Sequence, residues 1–504
     1  MKYLRLTILS LLFLGAIGAL AGYFFFRRTV PVQARFIPRN AVLVLTADMR
    51  ELALNAKGGG QLLPERGGDA VNKQLAALSR VWQDYKGGGV AQTADVQLFL
   101  FRQNESAWAG AAIELKDSAA FGKLMRSPEL GREILLSPAG KGCLALDSSG
   151  AVLGWNADAA LLLYPVGNHE TAANAAMLAQ LLVLPEANSI ASNEEFCSSV
   201  LEEFDLSLWV NPAEAISFSQ SAQLAALFGT MSQLHLSADF RDGEVLVKRH
   251  IVEDSQAPVA AQAVLSRSAR LGFWHINTST LYKHPAADLF FDDNELCREL
   301  AAQLTGQCTV MLNDTLHYTS HYTETVMDEN FNTVQREVSS KAVEFGHTCV
   351  YTMKNEAAVA GIFGRAAAAD SNLQQNKKAW TMATGTLRKT AWTEKGQLYV
   401  STFFAGPFTV LTKTSEQQIL SAQLQLPELL PKLASTHSDW PPQWLSIAQL
   451  LSKHTTSAEL TRPVYAGNGH YSDEFRLSFT DTRINAMLQL RDLLRESAWL
   501  MQQK

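Results

Sequence analysis

Ile37-Pro38-Arg39-Asn40-Ala41-Val42-Leu43-Val44-Leu45-Thr46-Ala47-Asp48 is the stretch whose reading decides the fold. Its apolar run is of strand length and is bounded by polar residues, the pattern of a buried strand. Pro38 presets an extended approach. Asp48 stands where a carboxylate caps a helix that begins just after it. The same rhythm returns at Leu271-Gly272-Phe273-Trp274-His275-Ile276-Asn277, with Asn277 in the place of Asp48, a short polar step and then Leu281. One such match is weak, whereas an ordered series of matches is the signature of a duplicated unit.

The series continues along the chain. Val71, Leu75, Leu78, Val81, Trp82 and Tyr85 recur at helical spacing and stop at Gly87-Gly88-Gly89; Leu296, Leu300 and Leu304 give a matching helix ended by Gly306. Ile113-Glu114-Leu115-Lys116-Asp117-Ser118-Ala119-Ala120 parallels Tyr351-Thr352-Met353-Lys354-Asn355-Glu356-Ala357-Ala358, each a strand end, a capping Asp or Asn and a helix start. Gly142 to Leu146 followed by Val152 to Trp155 predicts a hairpin, and Gly396 to Val400 followed by Val410 to Lys413 predicts its counterpart. Leu234, Leu236, Ala238 and Phe240 alternate up to an Asp242-Gly243 turn, and Val245, Val247, Arg249 and Ile251 return. A longer hairpin is expected from about Thr309 to Val343, turning at Asp328-Glu329-Asn330. Phe475, Leu477 and Phe479 mark a last strand, and Ile484, Met487, Leu488, Arg491 and Leu494 lie along one face of a terminal helix.

The expected fold class is therefore α+β: two related halves with mainly antiparallel sheets and flanking helices, after one N-terminal transmembrane helix. The expected domains are an anchor with its juxtamembrane linker over 1–34, a first α+β repeat over 35–253, a linker over 254–266 and a second repeat over 267–504. Asp254-Ser255-Gln256-Ala257-Pro258 supplies the linker's turn-forming residues. Beyond the anchor, roughly 475 residues exceed the size at which a single core stops growing.

Thr7 to Phe26 is an unbroken apolar run between Lys2 and Arg5 on one side and Arg27 and Arg28 on the other. About 20 residues at ~1.5 Å each match the ~30 Å hydrocarbon core of a bilayer. A cleaved signal remains an alternative, with Ala19-Leu20-Ala21 as its small-residue exit. Against cleavage, the run continues through Tyr23-Phe24-Phe25-Phe26, bulky side chains suited to a bilayer interface. Arg27, Arg28, Arg35 and Arg39 balance the basic head, so charge alone gives almost no orientation. A lone N-terminal segment with a short basic head is the usual export signal, and an exported, periplasmic or otherwise extracytoplasmic body is the favoured reading.

Apolar residues make up 47% of the chain and charged ones 18%, the balance of a folded protein. A net charge of −6 with no basic stripe disfavours nucleic acid as a partner. Cys143, Cys197, Cys297, Cys308 and Cys349 include no CxxC pair, which leaves buried thiols or one Cys297–Cys308 disulfide. His317 and His321 have a metal-ligand spacing only on a helix. Here Leu316, Tyr318, Tyr322 and Val326 alternate with threonines, so the segment is a strand and the two lie ~13 Å apart at ~3.3 Å per residue. Asp292-Asp293-Asn294-Glu295 lacks the glycine and spacing of a calcium loop and reads as the acidic start of the helix through Leu296. Gly467-Asn468-Gly469-His470 reads as a turn, and Gly58-Gly59-Gly60 lacks phosphate-loop grammar. GxSxG, HExxH, Walker and SxxK/KTG signatures are absent. Trp155, Trp209, Trp274, Trp380, Trp392, Trp440 and Trp444 are read as core, with one or two left open for a groove. No catalytic, cofactor-binding or metal residue and no cofactor is assigned, and enzymatic activity is left open with the balance against it.

Ile37-Pro38-Arg39-Asn40-Ala41-Val42-Leu43-Val44-Leu45 resembles the opening of an uncharacterised family of large membrane- or lipid-anchored bacterial cell-envelope proteins, a domain of unknown function. Ser192-Asn193-Glu194-Glu195-Phe196, followed by Asp205-Leu206-Ser207-Leu208-Trp209-Val210, resembles a second hallmark of that group. The resemblance implies an exported, membrane-attached α+β body, and it carries over no catalytic residue. No cysteine lies near the N-terminus to take a lipid, so the helix itself would anchor the chain. The function expected is a membrane-anchored extracytoplasmic binding or scaffolding protein of unknown ligand, with the membrane and an envelope protein as partners. The alternative is an anchored hydrolase, or a small-ligand or glycan receptor, with a site between the two halves.

Overall fold

The computed structural model describes residues 30–49, 51–52, 88–91, 95–103, 106–126, 136–140, 143–146, 150–166, 171–202, 204–221, 225, 231–253, 264–265, 271–277, 294–327, 333–376, 379–384, 386–402, 412–413, 418–436, 441–463 and 470–502. The apolar segment Thr7 to Phe26, the expected helix from Val71 to Tyr85, the linker at Asp254 to Pro258 and the turn at Asp328 to Asn330 lie outside them. Among the described residues no helix is long and apolar enough to cross a membrane. The fold is α+β with antiparallel strand pairing, and the chain forms two compact units: residues up to Asp239 with Arg249–Asp254, and Phe240–Lys248 with Ser255–Lys504.

In the first unit, β1 (Ala41–Ala47) pairs with β2 (Val96–Gln103), which pairs with β3 (Ser106–Glu114). Helix α1 (Ser118–Met125) then leads to a meander of β4 (Leu136–Gly140), β5 (Cys143–Leu146), β6 (Ala151–Trp155) and β7 (Ala159–Val166), whose last strand returns to β3. Helices α2 (Thr171–Leu181) and α3 (Glu194–Leu201) follow, and β8 (Leu206–Val210) closes on the free side of β1. After α4 (Pro212–Ser219), β9 (Met231–Arg241) pairs with β8 and turns back into β10 (Glu244–Glu253), the tip of this hairpin, Phe240–Lys248, being counted with the second unit.

The caps fall where the sequence places them. Asp117 accepts from the Ala119 and Ala120 amides at 3.0 and 2.9 Å, and Asp48 accepts from Glu51 at 3.0 Å. Such caps contribute about 1 kcal/mol each. In the core, Val44, Phe99, Phe101, Leu161 and Trp209 meet Leu178 of α2 and Phe196 of α3, and the Phe196 ring stands edge-on to Trp209 at 6.0 Å. A fully buried Asn174 ties α2 down: its amide accepts from Trp108 Nε1 at 3.1 Å and donates to the Gly150 carbonyl at 2.8 Å. The second hallmark of the resemblance is thereby structural, since Asn193 caps α3 through the Glu195 and Phe196 amides.

In the second unit, β11 (Val264–Leu265) forms a small pair of its own, described below, and β12 (Gly272–Asn277) is the central strand. Helix α5 (Asn294–Ala302) leads to β13 (Leu304–Met327), which pairs with β12 on one side and β14 (Thr333–Met353) on the other. Helix α6 (Glu356–Ala369), capped by Asn355, precedes a meander of β15 (Leu373–Asn376), β16 (Ala379–Thr384), β17 (Leu387–Glu394) and β18 (Gln397–Ser401), whose last strand returns to β14. After β19 (Thr412–Lys413), β20 (Gln418–Gln425) closes on the free side of β12. Helices α7 (Leu426–Thr436) and α8 (Pro442–His454) lead to β21 (Thr455–Pro463), β22 (His470–Phe479) and the terminal α9 (Ala486–Gln502). Val359, Ile362, Phe363 and Ala366 of α6 seat on Val310, Tyr351, Trp380 and Val400, with Phe363 stacked on Trp380 at 4.8 Å.

Three expectations are corrected. Leu304 is not on the helix, which ends at Ala302; Gly306 adopts φ +97°, and the ladder shifts register between Leu304 and Cys308, so the glycine marks a bulge opening β13. Of Val410 to Lys413 only Thr412–Lys413 is described, and it pairs with Val264–Leu265, while the tight Lys395-Gly396 turn, with φ of 50° and 76°, gives Gln397–Ser401 to β17. The terminal helix buries Ala486, Leu488 and Leu493 with Leu490 partly buried, so Leu488 lies on the buried side as the spacing predicts, while Ile484 and Leu494 of the predicted face are exposed. Cys297 and Cys308 are free thiols, as are Cys197 and Cys349. Replacing Asn174→Ala orphans the buried Trp108 Nε1 and Gly150 carbonyl, so the unfolding free energy should fall by roughly 2–4 kcal/mol. Denaturant titration followed by far-UV circular dichroism measures it, and an unchanged midpoint would remove Asn174 from this role.

Candidate functional site

One face of the first unit's sheet changes from apolar to polar along its strands. The cross-strand row Phe99, Val44, Trp209, His235 is followed by the row Gln97, Thr46, Ser207, Ser237, each residue directly opposite the next. All four polar side chains of that second row are buried. Gln97 Nε2 donates to Thr46 Oγ1 at 3.3 Å, while Gln97 Oε1 and Ser237 Oγ are buried without a hydrogen-bond partner. Buried polar atoms left this way each cost about 1–3 kcal/mol, so a core chosen for stability alone would not carry them.

His235 ends this polar region, 3% exposed, with Nε2 2.9 Å from Ser207 Oγ. Phe204 stands edge-on to its ring at 6.0 Å, and the His250 ring from β10 stacks on it at 5.8 Å and 13°. His250 Nε2 lies 3.9 Å from Glu202 Oε2, the carboxylate at the end of α3. Candidate ligand atoms of Glu202, His235 and His250 all lie within 4.8 Å of one another. The cluster is closed on the His235 side and open on the other, where His250 and Glu202 are 39% and 48% exposed. Burial, then the neighbouring His250, pushes the His235 pKa down to about 4. Ser207 and His235 have the spacing of a nucleophile and base, but Ser207 is 5% exposed and no substrate carbonyl reaches it.

The second unit offers two other features. A groove of about 1000 Å³ is lined by Glu356, Thr381, Arg388, Thr390, Trp392 and Lys395 among others, with Trp392 stacked on Tyr399 at 4.9 Å. The second is the β13–β14 hairpin, whose strands of 24 and 21 residues dwarf the 8 and 9 of β2 and β3. Pairing to β12 ends at Leu312, and a salt bridge from Lys432 of α7 to Asp314 holds the arm at its base. The Thr386 amide donates to the Thr319 carbonyl at 3.2 Å. From Ser320 to Met327 and Thr333 to Ser340, the two strands pair only with each other among the described residues. One face of this outer ribbon carries Tyr322 and Val326 opposite Val338 and Val334, with Tyr322 and Val334 exposed.

Of the residues weighed from sequence, His317 and His321 lie on β13 as a strand, and His321 Nδ1 meets Ser339 Oγ at 2.7 Å. Glu295 sits in the first turn of α5; Asp292 and Asp293 lie outside the described residues, as do Gly467 to Gly469 and Trp440. Trp209 and Trp380 are core, Trp392 lines the groove and Trp444 is exposed. Burial pushes the Cys349 thiol up to about 11 and raises Cys308 as well, which makes both inert packing residues. The Glu202–His235–His250 cluster was missed. Its signal was there: the two histidines stand symmetrically about Asp242-Gly243, on the strand face opposite Leu234, Leu236, Val245 and Val247.

No family model matches the chain, and no curated protein matches it. Among solved structures, crystal form I of TP0453 aligns with 47% of this chain and 89% of its own at 11% identity and a TM-score of 0.27. Crystal form III of the same protein aligns with 47% and 90% at 11% identity and a TM-score of 0.26. A likeness this slight says nothing about fold or function, and membership of the envelope family is not established by it.

The depressed His235 pKa fixes a pH window. The unfolded chain binds this proton near pH 6.5 and the folded chain only near pH 4, so the contribution is complete above 6.5 and is lost as pH falls between them. With a chelator present, stability should drop by roughly 3 kcal/mol more across that interval than in His235→Gln. Parallel pH curves for the two proteins would contradict it.

Proposed function

We propose that this chain is a membrane-anchored extracytoplasmic binding or scaffolding protein, held by the Thr7 to Phe26 helix, whose β13–β14 arm reaches a partner protein of the envelope. The arm is the observation that carries this reading. An isolated two-stranded ribbon is marginal in water, and its outward backbone groups and the Tyr322, Val326, Val334 and Val338 stripe are what strand addition by a second protein uses. The arm's base, held by Lys432 and Thr386, presents it at a fixed point of its own unit.

The two units are read as related halves. Support comes from the pairing order: the first unit runs β4-β5-β6-β7-β3-β2-β1-β8-β9-β10, and the second runs β15-β16-β17-β18-β14-β13-β12-β20-β21-β22. In that correspondence the arm is the second half's β2–β3 hairpin grown outward. Duplication followed by enlargement of one hairpin in one copy is the mark of a function acquired there. A small-ligand or glycan receptor is the second reading, favoured by the Trp392 groove with its Arg388 and Glu356.

The test is crosslinking in intact cells with a photoreactive amino acid at Tyr322. A discrete adduct should form, and deletion of 320–340 with an Asn-Gly closure should abolish other crosslinks while leaving the circular dichroism of the body unchanged. Full-length protein should also stay with membranes through carbonate extraction. A chain that yields no adduct from any arm position, or washes off membranes without detergent, would overturn the proposal.

A further inference from the structure

We infer that Glu202, His235 and His250 form a binding site for one divalent transition-metal ion of the zinc class. Two imidazoles and one carboxylate are the donor set that zinc and its neighbours prefer, whereas calcium and magnesium take oxygen ligands in larger number. The geometry is near what an ion requires. Bonds of ~2.0–2.1 Å in a tetrahedral site bring ligand atoms to ~3.4 Å of one another. The three residues already place theirs within 4.8 Å. The remaining contraction falls on Glu202 and His250, the more exposed of the three, while His235 is buried in the sheet.

Two further observations point to a ligand. His250 Nε2 is buried and has no hydrogen-bond partner, and it faces the Glu202 carboxylate at 3.9 Å, beyond hydrogen-bond reach. An ion between them gives that nitrogen its partner. Ser207, bonded to His235 Nε2, supplies the outer-shell contact that metal-binding histidines usually have: with the proton on Nε2, the other ring nitrogen holds the lone pair. Three protein ligands leave a fourth position for water. The three ligands, all of the first unit, come from the end of α3 and from both strands of the β9–β10 hairpin, so the ion would tie α3 to that hairpin.

Full-length protein in mild detergent, stripped with EDTA and dialysed, is titrated with zinc against a chromophoric chelator. One saturable site should appear, with a rise in Tm that EDTA reverses. Cobalt should give the visible absorption of a nitrogen- and oxygen-ligated tetrahedral ion. His250→Ala and Glu202→Gln should each weaken zinc binding by about 100-fold. Both variants should unfold in EDTA at the wild-type temperature, which separates loss of a ligand from loss of the fold. Binding that is unsaturable, that survives both substitutions undiminished, or that calcium and magnesium displace as readily as zinc does would overturn the site.

Discussion

The constraint on which each unit rests is that its central strand is bonded on both edges. β1 lies between β2 and β8, and β12 lies between β13 and β20. A buried strand cannot leave a row of amides and carbonyls unpaired, and each such group costs about as much as a lost hydrogen bond. The partner on the second edge arrives only after a complete meander and its helices have been laid down. Everything between is an excursion that leaves the central strand and comes back to it. Helices α2, α3 and α6 then cover the apolar faces so produced.

Much of this was legible in the residues. The run from Val42 to Leu45 is a strand because it is apolar throughout, and Asp48, Asp117 and Asn355 cap helices because each follows a strand end and precedes alanines or acidic residues. The Asp242-Gly243 turn was equally plain, since Gly243 adopts φ +72° and alternating apolar residues flank it. Failures had local causes. Leu304 fits the helical spacing of Leu296 and Leu300, but the positive φ open to Gly306 lets the chain enter a strand instead. Val410 to Lys413 looks like a hairpin's second arm, yet Lys395-Gly396 is a tighter turn and had already supplied the partner. Apolar spacing could not choose between Leu493 and Leu494 as the buried residue of the last helix, because the choice depends on what covers it.

The polar cluster was harder to see for a different reason. Periodicity identifies the apolar face of a strand and treats the other face as solvent, which holds only where nothing covers it. Both faces of β8 and β9 are covered here, so Ser207, Ser237 and His235 are buried although their alternation reads as exposed. The two units carry different features beside their strands and helices. The first carries a buried polar row ending in two histidines, and the second carries a hairpin that outruns its sheet. Stability accounts for neither. A buried Ser237 hydroxyl without a partner weakens the fold around it, and Tyr322 is left 49% exposed on the arm.

Central strands completed late impose an order in time. Leu43 meets Val210 across about 170 residues, and Gly272 meets Leu424 across about 150. While the ribosome is still adding the meander, β1 has an edge with no mate, and the nascent chain must wait for β8 before its first nucleus can close. Such contacts set slow folding rates and prolong the interval in which sticky edges are on view. A chaperone that shields Val42 to Leu45 until residue 210 emerges would therefore act on the step that limits maturation.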